Sequence, residues 1–316
     1  MKQVSLVIIS LLTYLVFLPV KAKDSVQPLS VKKVSDSVYS IISPYYGLPT
    51  PQNKGWNSNS HFVVTDEGVL VIDSGSSEAI GRQIIATVKT VTHQPIRWLV
   101  NSHSHADHWL GNGAFKTLNV EIIATESSAI QMQADASFVV EAFNRLTEGQ
   151  TGNSAIVIPE QQLQAQQSRT LGSLTIEFLM ANDGHSPGDI LIWLPQEKVI
   201  IGGDVLSSDW LPIMTHHGDL AGLISSLDSV LQLQPSVVLT GHGAVTDASS
   251  IVRDSRFLTA ALAHIKQGFE HKTPLPEITA SFEQSFGPTY KSQYKDFEKN
   301  CAYLVETIYK SLDAMS

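Results

Sequence analysis

One order of residues occurs twice along this chain, and few folds accommodate it. In the first copy, residues 61–65 have the pattern of a strand, Asp66-Glu67-Gly68 that of a turn, and residues 69–72 form a second strand ending in Asp73. Ile80, Ile84, Val88 and Val91 then recur at helical spacing. The apolar strand 96–100 follows and runs into a loop full of histidines. The second copy sets strand 190–194, the turn Pro195-Gln196-Glu197 and strand 199–201 ahead of Gly202-Gly203-Asp204. A helix carrying Leu220, Leu223, Leu227 and Val230 or Leu231 comes next, and strand 237–239 enters Gly241-His242-Gly243. Hairpin, acidic residue, helix, strand and histidine thus share one order in both halves. Two such layers placed sheet to sheet give an α/β fold of four layers, an αββα sandwich, with the strand-end loops converging along one edge. Strands and helices alternate in many α/β proteins, so the chemistry of those loops has to decide.

Three of the eleven histidines crowd into His103-Ser104-His105-Ala106-Asp107-His108. Side chains at i and i+2 of an extended strand-end point to the same side, so His103 and His105 can grip one ion. Asp107 and His108 are adjacent and must diverge, which suits a second ion beside the first. Imidazole and carboxylate are the donors that a borderline divalent metal such as zinc takes. Further donors stand at comparable places: His185 in a breaker-rich turn, Asn182 to Gly188, Asp204 at the end of a hairpin strand, and His242 between two glycines.

The run HxHxDH, a distant histidine, an aspartate and then GHG resembles the metallo-β-lactamase superfamily, over about residues 32–250. Asp73-Ser74-Gly75 is similar to that family's aspartate-Ser/Thr-Gly turn. The resemblance implies the αββα fold with two metal ions, expected to be zinc, although iron or a mixed pair would suit the same donors. It puts one ion on His103, His105 and His185 and the other on Asp107, His108 and His242. Asp204 and a hydroxide would bridge them, and Asp73 would tie loops together without being a ligand. Two ions about 3.5–4 Å apart lower the pKa of a shared water toward about 7, and one of them polarises the bond to be cut. Asp107 and Asp204 are the expected catalytic carboxylates, Asp107 with a further part in orienting the hydroxide.

The ends of the chain read differently. Lys2, the uncharged run 4–20 and Val20-Lys21-Ala22 have the anatomy of a secretory signal peptide covering residues 1–22, with an uncleaved anchor as the alternative. The hydrolase domain would then be residues 23–316, periplasmic or secreted, with a helical extension from about residue 251. Phe257, Ala261, Ile265 and Phe269 form one stripe of that extension, and a last helix is expected near residues 294–312; both are read as covering core. Cleavage would move the formal charge from −9 to −11. So acidic a chain points to a small-molecule substrate and away from nucleic acid or stable membrane insertion as partner. Cys301 is the single cysteine, spaced with Tyr294, Phe297, Leu304 and Ile308 as a core thiol. The Pro/Gly/Asn-rich residues 43–60, with Tyr45, Tyr46 and Trp56, suit either a flap over a site or an ordered surface loop. The glutamine-rich residues 160–167 read as a solvated connection, and His216 and His217 as a solvated pair or part of a cleft mouth.

Departures within the resemblance narrow the reaction. The Cys-ligand β-lactamases carry a cysteine at the position of Asp204 and a substrate-binding lysine soon after it, and residues 205–210 contain no lysine. An aspartate there is similar to glyoxalase II, lactonases and other esterase-type members, although no basic glutathione site is legible in the helical tail. The expected reaction is therefore hydrolysis of a small ester, thioester, lactone or lactam, with true β-lactamase activity as first alternative. A mononuclear iron persulfide dioxygenase would use fewer of these ligands, and a metal-keeping binding protein would not need both Asp107 and Asp204.

Overall fold

The computed structural model describes residues 26–45 and 47–314; the expected signal peptide and Tyr46 lie outside them. The chain opens with β1 (Lys32–Lys33), β2 (Val38–Ile41), β3 (Ser60–Thr65), β4 (Gly68–Ile72), α1 (Glu78–Val91) and β5 (Ile96–Val100). Two short helices, α2 (Ala106–Trp109) and α3 (Asn112–Lys116), lead to β6 (Glu121–Thr125), α4 (Glu126–Leu146) and β7 (Gln161–Leu163). The second half contains β8 (Gln167–Leu171), β9 (Leu174–Met180), β10 (Ile190–Leu194), β11 (Val199–Ile201), α5 (Leu220–Gln232) and β12 (Val237–Leu239). Three helices close the chain: α6 (Ala248–Glu270), α7 (Leu275–Tyr290) and α8 (Phe297–Ala314).

The strands form a seven-stranded sheet in the order β1 to β7 and a five-stranded sheet in the order β12-β11-β10-β9-β8. The internal repeat is visible in their pairing. β3 and β4 are antiparallel, and α1 carries the chain over to β5, parallel to β4. β10 and β11 are antiparallel in the same way, and α5 carries the chain to β12, parallel to β11. Ser77 caps α1 by accepting from the Ile80 amide, and Asp219 caps α5 by accepting from the Ala221 and Gly222 amides. Each cap contributes about 1 kcal/mol, and each helix follows a strand-end acid of the repeat, Asp73 before α1 and Asp204, across a longer loop, before α5.

Three apolar interfaces stack the layers. Leu70, Ile72, Val100 and Ile123 of one sheet pack against Phe178, Ile190, Ile192 and Ile201 of the other. Ile80, Ile84 and Val88 of α1, with Phe115 of α3, cover the outer face of the first sheet at Phe62, Val71 and Leu99. Leu223, Leu227 and Val230 of α5 cover the outer face of the second at Leu191, Trp193 and Ile200, and α6, α7 and α8 extend that layer. The result is the αββα sandwich with extra C-terminal helices.

Two local readings change. Residues 160–167 are not simply a solvated connection, because they supply the edge strand β7 and the start of β8. Parallel pairing with β6 and the burial of Leu163 outweigh the weak strand preference of glutamine. Residues 57–60 are packed inward, not laid on the surface: Asn57, Ser58, Asn59 and Ser60 are all buried, as is Asn53.

Candidate metal centre

All seven residues expected at the site converge at one edge of the sandwich. His103 and His105 follow β5, and Asp107 and His108 stand in the first turn of α2. His185 lies between β9 and β10, Asp204 on a 3-10 turn after β11, and His242 after β12. Donor atoms of His103, His105, His185 and Asp204 lie within 4.8 Å of one another, as do those of Asp107, His108 and His242. Asp204 joins the groups, with Oδ1 3.4 Å from His108 Nε2 and Oδ2 3.3 Å from His242 Nε2 and 3.6 Å from His185 Nε2. Gly241 makes this approach possible, since a Cβ there would overlap Asp204 Oδ1.

The far side of four of the five imidazoles is held by a fixed partner. Asp73, at the end of β4 with φ 64°, accepts from the Ser102 amide and hydroxyl and from His108 Nδ1 at 2.7, 2.8 and 2.8 Å. The Ser102 hydroxyl, having spent its proton on Asp73, accepts from His103 Nδ1 at 2.9 Å. His185 Nδ1 donates to the Ile213 carbonyl at 2.7 Å and His242 Nδ1 to the Asn57 carbonyl at 2.8 Å. These partners assign the tautomers and turn four Nε2 lone pairs toward the centre.

That inward surface is short of protons. His105 Nδ1 lies 3.0 Å from both His103 Nε2 and His185 Nε2, and one ring proton cannot serve two lone pairs. His108 Nε2 and Asp204 Oδ1 are buried without a hydrogen-bond partner. Leaving such groups unsatisfied costs about 1–3 kcal/mol each, whereas a divalent cation satisfies all of them together. Electrostatics agree. Burial, then the neighbouring imidazoles, drives His103 well below its ordinary pKa and His105 to about 3. Burial also opposes charge on His108, yet Asp204, Asp107 and Asp73 outweigh it and raise its pKa to about 10. Asp204 is itself held well below the usual carboxylate range, against burial, by His242, His108 and His103. The donor set fits metal.

A sequence profile described as the metallo-beta-lactamase superfamily matches residues 53–242, well over half of the chain. The chain belongs to the metallo-β-lactamase superfamily. A linear primary-alkylsulfatase of Pseudomonas sp. (strain ATCC 19151) is 25% identical over 63% of this chain, but the match spans only 44% of that protein. A type 2 metallo-beta-lactamase of Bacteroides fragilis is 22% identical over 75% of this chain and 88% of its own length. Among solved structures, a metallo-beta-lactamase from Pontibacter korlensis superposes with a TM-score of 0.57 at 23% identity, covering 73% of this chain and 99% of the other. These relatives are metal-dependent hydrolases, and this superfamily member is an enzyme of that class.

In this member a cavity of about 360 Å³ opens over the metal centre. His105, Asp107, His185, Asp204 and His242 form its floor, and Leu206, Trp210, Leu211 and Ile213 give it an apolar wall. The Trp210 ring stacks on His242, centroids 4.4 Å apart, and so fixes that imidazole from outside. Gly47, Leu48 and Asn57 bring the loop of residues 43–60 to the cavity, as a flap would. Sequence reasoning passed over Asn57, whose Nδ2 donates to Asp107 Oδ2 at 2.9 Å; the run Trp56-Asn57-Ser58-Asn59 was its only signal. Another correction concerns the C-terminal helices, which do more than cover core. Lys299, Asn300 and Tyr303 of α8 line the cavity. Trp109, by contrast, is fully buried, with Nε1 donating to the Ser104 carbonyl. His216 and His217 are exposed, His216 lying edge-on to Tyr303. Cys301 is a core thiol beside Glu283, pushed up to about 12 mainly by burial.

Proposed function

We propose that this superfamily member is an exported dinuclear zinc hydrolase that cleaves an ester, thioester, lactone or lactam bond of a small molecule. One observation carries the reading: a single carboxylate, Asp204, stands between two three-residue donor groups at the floor of an apolar cavity. His103, His105 and His185 would hold one ion, Asp107, His108 and His242 the other, and Asp204 both. Imidazole and carboxylate donors without thiolate suit zinc, and iron or a mixed pair is compatible with them. When bound, such a pair supplies Lewis acidity and a water ionised near neutral pH.

The chain's own residues orient and shield the reaction. Asn57 Nδ2 on Asp107 Oδ2 and Ser58 Oγ on the Asp107 carbonyl hold that carboxylate at the cavity floor, where it can receive a proton from the attacking water. His185 is fixed from behind by the Ile213 carbonyl, and its amide donates to Asp189 Oδ2 at 2.7 Å. The wall of Leu206, Leu211 and Ile213 excludes bulk water and strengthens every charge interaction on the floor. Export is supported by the sequence pattern of residues 1–22, and among the described residues no helix is long and apolar enough to cross a membrane.

The names of the relatives widen the panel of bonds. The Bacteroides fragilis relative supports β-lactam hydrolysis as the first alternative. The alkylsulfatase relative, with the apolar wall, supports a sulfate monoester of an apolar alcohol. The decisive experiment is metal analysis joined to a hydrolysis screen over these bonds, with Asp204→Ala as inactive control. Two zinc ions per chain and turnover abolished by the substitution are expected. One iron per chain with oxygen uptake on a persulfide would overturn the hydrolase, as would silence of the zinc-loaded protein across the panel.

A further inference from the structure

Four lysines lie on or just before α8: Lys291, Lys295, Lys299 and Lys310. Three have carboxylate partners within the protein: Lys291 with Glu298 at 2.9 Å, Lys295 with Asp209 at 2.6 Å, and Lys310 with Glu306 at 2.5 Å. Lys299 has no ion pair among the described residues, and it is the one of the four that lines the cavity. Its ammonium is directed to the flap: a Cβ on Gly47, itself a lining residue, would stand 2.9 Å from Lys299 Nζ. The acidic residues near it are already engaged. Asp296 accepts from the Leu211 amide and from Asn300 Nδ2, both at 2.7 Å, and Glu298 is paired with Lys291. Leu48, Leu206, Trp210 and Ile213 give apolar surface to the same cavity that Lys299 and the metal-centre floor line.

From this arrangement we infer that Lys299 is the anion subsite of the cavity, and that the substrate is an amphipathic small molecule bearing a carboxylate. The scissile bond sits over the Asp107 and Asp204 floor, the apolar body runs along the wall, and the carboxylate reaches the α8 ammonium. The inference rests on the metal-centred reading of the cavity and adds its substrate class. Lysine suits the task, because a charged donor on a flexible stem meets a carboxylate without demanding one bidentate geometry. In a chain of net charge −9, a single cation at the mouth also distinguishes the entry from the surrounding surface.

The test uses binding, so it does not depend on turnover. ω-Mercaptoalkanoates of three to six carbons and their matching amides are titrated calorimetrically into the zinc-loaded protein, the thiol seeking metal and the far end probing Lys299. For at least one chain length the carboxylate should bind about tenfold tighter than its amide. That preference should vanish in Lys299→Ala, reverse in Lys299→Glu and persist in Lys299→Arg, while amide affinity stays level throughout. Equal binding of acid and amide by the wild-type protein overturns the subsite and leaves the metal centre standing. So does a preference that survives Lys299→Ala. If neither thiol binds at all, the metal-centred reading fails and the subsite with it.

Discussion

Asp73 Oδ2 lies 2.8 Å from His108 Nδ1, and both side chains are almost completely buried. One carboxylate therefore sets the tautomer of an imidazole whose other nitrogen faces Asp107 and Asp204. Its two oxygens also bind the Ser102 amide and hydroxyl, through which it orients His103. Asp73 thus governs one histidine of each donor group.

Replacing Asp73 by asparagine tests that relationship with little change of shape, since asparagine tolerates the left-handed backbone found there at φ 64°. Partners behind a metal-bound imidazole typically control affinity by about 10–100-fold. Asp73→Asn should weaken metal binding by that factor in a chelator competition while the chain remains folded. Unchanged affinity would mean that the His108 ring is held by packing alone.

Removing metal should destabilise the whole domain. Acceptor atoms gathered from loops of both halves face one another across the centre, and a bound ion links them. At a thousandfold excess of free metal over its Kd, the linked stabilisation is about 4 kcal/mol. For a domain of this size that corresponds to a Tm change on the order of 10 °C. Thermal unfolding with and without a chelator measures it, and coincident transitions would refute the coupling.

Both the ease and the failure of the sequence reading have physical causes. Metal donors were legible because four of them fall within six residues after an apolar strand, and because hairpin, helix and strand recur in one order. Those are local signals. Lys299 was hidden in an amphipathic helix whose buried stripe, Phe297, Cys301, Leu304 and Ile308, reads as core. Which exposed residue of such a helix reaches a cavity depends on docking, here set by Asp296 on Leu211 and Lys295 on Asp209. Asn57 was hidden for the same reason: its partner Asp107 is fifty residues away. The strand β7 has little intrinsic preference and exists because β6 offers it an edge.

His61 should shape the acid limb of stability. Its Nε2 donates to the Thr240 carbonyl at 3.1 Å and its Nδ1 accepts from Ser40 Oγ at 2.8 Å, so the buried ring is satisfied while neutral. Burial lowers its pKa to about 4, from an ordinary 6.5. Between those values the unfolded chain binds the extra proton and the folded chain does not. The contribution is therefore complete above about pH 6.5 and is lost as the pH falls toward 4, amounting to roughly 3 kcal/mol. His61→Gln keeps a donor for Thr240 but does not titrate. Urea unfolding of the metal-loaded protein at pH 7 and pH 4 should show a smaller acid loss in that variant, and equal losses would place the titration elsewhere.

Asp296 joins the catalytic half of the chain to its helical tail. It is buried, and it accepts from the Leu211 amide on the cavity wall and from Asn300 at the start of α8. Asp296→Ala would strand a buried amide, at a cost of about 1–3 kcal/mol, and free the wall to move relative to Lys299. Stability to urea should fall by that amount. KM for a carboxylate-bearing substrate should rise several-fold while kcat stays nearly level, because the metal-centre floor does not touch Asp296. The nearby Asp209–Lys295 pair spans the same junction but is partly exposed, and such pairs contribute at most about 1 kcal/mol. A stability loss with KM unchanged would show that this surface pair, despite its exposure, keeps α8 in place by itself.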